Sequence, residues 1–123
     1  MTLRSLHADF AWVVVAANAV VGLWAVGAHH EERLRRPSLW RATLVAELTI
    51  FVEVALGVAL VAVRDHEVAQ FHAFYGFVAI ATVGIVYSYR QQIAPHRHLL
   101  YGLAGLFLMG LALRAITISP VPA

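Results

Sequence analysis

Four apolar runs, each long enough to cross a bilayer, fill most of this 123-residue chain and leave little room for any other fold. They run from Phe10 to Ala28, Ala42 to Val63, Phe71 to Tyr89 and Leu99 to Ile118. A spanning helix needs roughly 17–25 predominantly apolar residues. Inside hydrocarbon every backbone amide must be satisfied within the segment, which selects helices for runs of this kind. The reading is an all-α integral membrane protein, with four transmembrane helices in an antiparallel bundle over about residues 9–28, 39–63, 70–90 and 98–118. The loops are short, so the whole chain, 1–123, is expected to be this one domain.

Composition agrees. The chain is 61% hydrophobic and 13% charged, with a mean hydropathy of +0.75, against about 45–50% and 25% for an ordinary soluble domain. The first run exceeds the ~7–15-residue core of a signal peptide and continues through Gly27 and Ala28 into a basic loop, so it is expected to stay uncleaved. Without cysteine there is no thiolate or disulfide chemistry. A net charge of +2 gives no argument for nucleic acid. A phosphate-cradling Gly-rich loop, a convincing nucleophile and the extramembrane volume for an active site are all missing from the pattern, so a non-enzyme is expected.

Arginine sets the expected orientation, because cytoplasmic loops collect positive charge. Arg33, Arg35, Arg36 and Arg41 follow the first run, and Arg90 and Arg97 follow the third. The opposite side holds Arg4 and Arg64 beside Asp9, Asp65 and Glu67. Both termini are therefore expected on the outer side of a bacterial plasma membrane, with loops 28–41 and 90–97 in the cytoplasm. Trp12, Trp40, Tyr87, Tyr89 and Tyr101 near run ends suit an interfacial aromatic belt. The loop from His29 to Arg36 either binds lipid headgroups, docks a partner or only fixes topology.

The polar residues within the runs are the candidate functional groups: Asn18, Glu47, Glu53 and Arg114. A charged side chain at mid-bilayer costs roughly 2.5–3.5 kcal/mol on insertion scales, so such groups face partners or water. Glu47 and Glu53 point roughly 120° apart on one helix and cannot form a carboxylate pair. A Glu53–Arg114 pair with His72 nearby is one expectation, and Glu47 with Asn18, a backbone amide or another subunit is a second, failing which Glu47 stays protonated.

A short motif recurs. His72-Ala73-Phe74-Tyr75-Gly76 and His98-Leu99-Leu100-Tyr101-Gly102 are each followed, eight residues after the glycine, by Gly84 and Gly110. Small residues let helices approach within a membrane, so Gly76, Gly84, Gly102 and Gly110, with Gly105 beside them, are expected to pack the third and fourth helices against each other or a partner. His7, His72, Tyr75, His98 and Tyr101 are candidate cofactor or partner contacts. Haem or quinone at His7 and His72, with His66 as a further ligand, is an alternative, although no cofactor is expected and no ligand spacing for a structural metal occurs.

Small four-helix multidrug transporters carry a mid-span Glu in the first helix, where this chain has Asn18, and the motifs of fluoride channels are not found. The segment from Gln70 to Ala79, with Tyr87-Ser88-Tyr89-Arg90 and Leu99-Leu100-Tyr101-Gly102, resembles small uncharacterised actinobacterial membrane proteins. Proteins of that kind occur as accessory subunits of respiratory supercomplexes, in which cytochrome bc and oxidase modules associate. The resemblance spans most of the chain but implies no catalytic residue. It implies a non-catalytic subunit packed against a larger membrane complex and lipid. The alternative classes are a proton-coupled carrier or channel using Glu47 or Glu53, acting as a homodimer, and the haem or quinone protein.

Overall fold

The computed structural model describes residues 2–64 and 70–118, and His66, Asp65 and Glu67 lie outside them. Among the described residues there are four long helices: α1 (Leu3–His30), α2 (Pro37–Arg64), α3 (Gln70–Tyr89) and α4 (Arg97–Thr117). Two single 3₁₀ turns, Glu32–Leu34 and Ala94–His96, sit in the connections. All four helices are long and apolar enough to cross a membrane. At 1.5 Å per residue, α1 and α2 are each about 42 Å long and α3 about 30 Å.

Helices α1 and α2 outrun their apolar segments. Helix α1 starts at Leu3, well before the expected position 9, through a reciprocal cap: Thr2 Oγ1 accepts from the Ser5 amide and Ser5 Oγ from the Thr2 amide, both at 3.0 Å. Such caps satisfy two of the orphan donors of a helix start. Pro37 opens α2, where its missing N–H costs nothing and its fixed φ suits a first turn. Arg35 closes the α1–α2 corner by donating from Nε to Ala28 O at 2.6 Å and from Nη2 to His29 O at 2.9 Å. Those are two of the last carbonyls of α1, which have no partner within the helix.

Helix α1 forms its largest interface with α4 and the next with α2, while α3 packs on α4 and barely touches α2. Accordingly α1 is the most buried helix. Its buried residues, Ala11, Val14, Asn18, Val21, Gly22, Ala25 and Ala28, form one stripe at helical spacing. Two apolar clusters result. Val14, Ile50, Val83, Leu108 and Leu111 join all four helices in one half. Ala25, Ala28, Leu39, Val86 and Tyr101 do so in the other.

Candidate functional site

Near the start of α1, His7 reaches across to α2. Gly57 makes the space, since a Cβ there would stand 3.1 Å from His7 Cε1. His7 Nδ1 lies 3.2 Å from the backbone oxygen of Glu53 and 3.3 Å from its carboxylate Oε1. A carbonyl only accepts, so Nδ1 carries the proton. Both side chains are largely buried, at 21% and 15% exposure. Oε1 is close to the ring, yet it is fully buried and has no hydrogen bond of acceptable geometry. The carboxylate is thus held by proximity to the imidazole rather than by an aligned bond.

His72 joins the same end of the bundle. Its ring stands edge-on to His7, with centroids 6.1 Å apart. Its Nδ1 donates to Ala115 O at 2.8 Å, satisfying a carbonyl in the last turn of α4. Both imidazoles therefore present Nδ1–H to backbone, and when neutral each keeps Nε2 as the acceptor. Tyr75, one turn on from His72, packs its ring against the apolar cluster around Val14 and Ile50 instead. Among the described residues no group of three His, Cys, Asp or Glu is arranged to hold a metal ion.

The expected Glu53–Arg114 pair does not form. Glu53 faces α1, where His7 takes the partner's place, and Arg114 is exposed in the last turn of α4. A cation there complements the negative end of the helix dipole.

Asn18 is the other buried polar group of the spans, 1% exposed. Its Nδ2 donates to Val14 O at 2.9 Å and makes a longer contact, 3.5 Å, to Ala46 O. It therefore ties α1 to the α2 backbone and leaves Glu47 aside. Glu47 is half-buried, and among the described residues it has no hydrogen bond or ion pair. The exposed residues Leu44, Val45, Leu48 and Phe51 adjoin it on α2.

The glycines divide in a way the repeat did not show. A Cβ on Gly102 would stand 2.6 Å from Val26 N, and one on Gly105 would stand 2.9 Å from Gly22 Cα. The close approach is therefore between α1 and α4. A Cβ on Gly76 would meet only Val54 Cγ2, at 3.9 Å, and one on Gly84 or Gly110 would meet nothing within 4 Å. The expected α3–α4 glycine contact is thus absent among the described residues, because Gly84 and Gly110 lie on the outward sides of their helices. Gly22 was not singled out from the sequence. Its signal was the small stripe Asn18, Gly22, Ala25 and Ala28 on one face of α1.

At the far end, Trp40 packs between His98 and Tyr101, with ring centroids at 5.1 and 5.3 Å. These two α4 residues thus contact α2 within the chain. Trp24 Nε1 donates to Leu34 O at 2.9 Å and fixes the α1–α2 turn.

No protein-family model matches the chain, and comparison with curated proteins and with solved structures likewise found no match.

Proposed function

We propose that the protein is a non-catalytic integral membrane subunit that packs against a larger membrane complex. The observation behind this reading is Glu47. A carboxylate inside an apolar span is too costly to leave against lipid, and the polar groups nearest the expectation are committed elsewhere, Asn18 to the backbone and Glu53 to His7. A polar group on another chain would supply the partner that the hydrogen bonds and ion pairs of the described residues do not, and without one the carboxyl stays protonated. Leu44, Val45, Leu48 and Phe51 beside it supply an apolar surround for such a contact.

In the finer form of this proposal the helices run antiparallel through a bacterial plasma membrane. The termini lie outside and the two arginine loops lie in the cytoplasm, as the arginine bias suggests. The complex is of the respiratory, energy-transducing type, an inference resting on the resemblance of the Gln70–Ala79 and Leu99–Gly102 segments alone. Native mass spectrometry on protein gently extracted from its own membrane tests it. Recovery within a larger assembly of defined stoichiometry, reduced by Glu47→Gln, is the expected result. A wild-type chain recovered only as monomer or dimer overturns it.

The His7–Glu53 pair favours a second reading, a homodimeric proton-coupled carrier, since an imidazole beside a buried carboxylate can hold and release a proton. Under that reading Glu53→Gln abolishes transport in reconstituted vesicles. Under the first it leaves every flux unchanged.

A further inference from the structure

We propose that His7 and His72 hold one copper(I) ion between their Nε2 atoms, at the end of the bundle where α1 and α3 begin. The proposal stands whether or not the chain docks a partner through Glu47.

All four helices bring the two rings together. Nδ1 of His7 is held by Glu53 O on α2 and Nδ1 of His72 by Ala115 O on α4, at 3.2 and 2.8 Å. A ligating histidine almost always donates its other N–H to a carbonyl or carboxylate, which fixes the tautomer and leaves the second nitrogen as a lone pair. Both rings meet that condition. His7 meets it twice, since Glu53 Oε1 stands 3.3 Å from the same Nδ1. Among the described residues neither Nε2 has a hydrogen-bond partner, and neither is sealed off by the chain's own atoms as Glu53 Oε1 is. Two lone pairs on oriented rings are thus left for a ligand from outside.

Spacing and charge select the ion. With metal–nitrogen bonds of about 2.05 Å and about 1.15 Å more to each ring centre, one shared ion sets the centres about 5.2 Å apart at a tetrahedral angle and about 6.4 Å apart when opposed. The observed 6.1 Å lies near the opposed arrangement. Zinc takes four ligands in a tetrahedron, and the described residues offer no third His, Cys, Asp or Glu placed to help complete one. Copper suits imidazole, and in its monovalent form it accepts two opposed donors. Its single charge also balances the Glu53 carboxylate across the His7 ring, which lowers the cost of a buried charge. The histidines of the other end differ. His29 and His96 rings are 5.8 Å apart, but Arg35 and Arg97 share that end and repel a cation.

The test loads the full-length protein in neutral detergent with copper(I), kept reduced by ascorbate without oxygen, in competition with a chromophoric copper(I) chelator. Native mass spectrometry reads the stoichiometry and X-ray absorption the coordination. One ion per chain is expected, with the absorption edge of a two-coordinate nitrogen site. His72→Ala is expected to weaken binding at least about tenfold, since loss of an outer partner alone costs that much. Glu53→Gln is expected to weaken it about tenfold while keeping one ion per chain. His96→Ala, at an exposed histidine of the other end, is expected to leave the affinity at its wild-type value. Equal losses for His72→Ala and His96→Ala overturn the site, as does a wild-type chain that retains no copper(I) against the chelator. Tighter retention of zinc than of copper(I), or the edge of a four-coordinate ion, overturns the assignment to copper(I). If His72→Ala fails to fold, the stoichiometry and edge of the wild-type chain still decide.

Discussion

Gly22 and Gly105 face each other across the α1–α4 interface, where a Cβ added to Gly105 would stand 2.9 Å from the Cα of Gly22 and 3.1 Å from Asn18 O. The three nearest atoms it would meet are all backbone, so no swing of a side chain would admit it. Gly102 extends the contact one turn earlier, against Val26 and Gly22 O. In a membrane, where burial from water gives helices no reason to associate, such close backbone approach is a main source of cohesion.

Gly105→Ala is therefore expected to destabilise the bundle by about 1–3 kcal/mol, the range for overpacking a close-fitted interior. Gly110→Ala, in the same helix but facing open space, is expected to be neutral or stabilising by up to about 1 kcal/mol through helix propensity. Unfolding in mixed micelles of increasing denaturing detergent, followed by circular dichroism, separates the two. Equal effects would show that the interface is looser than described.

The His7–Glu53 pair ties α1 to α2. His7→Ala removes the Nδ1 donor to Glu53 O and the imidazole beside Oε1, and is expected to cost about 0.5–1.5 kcal/mol, the scale of one hydrogen bond. Combining His7→Ala with Glu53→Leu should recover part of that loss, giving a coupling of about 1 kcal/mol in a double-mutant cycle. Strict additivity of the two changes would show that the pair contributes nothing.

Asn18 offers a smaller effect for a more buried group. Interhelical hydrogen bonds in membranes average about 0.6 kcal/mol and reach about 1.7. Asn18→Ala is expected to fall in that range, with a further contribution from the small cavity it leaves. Asn18→Asp is expected to cost several times more, because the same space would then hold an unpaired charge. Measuring both in the same unfolding assay checks the order.

Trp40 joins α2 to α4 through His98 and Tyr101. Trp40→Ala is expected to cost about 2 kcal/mol, below the 3–5 of a fully buried Trp because this ring is half-buried. Trp40→Phe should retain most of the edge-to-face contact with Tyr101, worth about 0.5–1.5 kcal/mol. Accessibility of a cysteine placed at Ser38, read by maleimide labelling, is expected to rise in Trp40→Ala and to stay at the wild-type level in Trp40→Phe.

What the sequence by itself determined is the set of elements and the need for polar pairing. Four runs of sufficient length imply four helices, because hydrocarbon leaves the backbone no other partner. Glu53 within such a run implies a nearby polar group for the same reason. Helix ends were less legible, since capping turns such as Thr2–Ser5 are polar and escape a search for apolar runs. Only the tertiary structure decided which faces meet: His7 rather than Arg114 beside Glu53, and Gly22 with Gly102 and Gly105 rather than Gly76 and Gly84 in the tight interface. These helices are apolar nearly all round, so no polar face orients them in advance. Spacing along one helix tells which residues share a side. The rotation of each helix, and the neighbour that side receives, comes from fitting all four together.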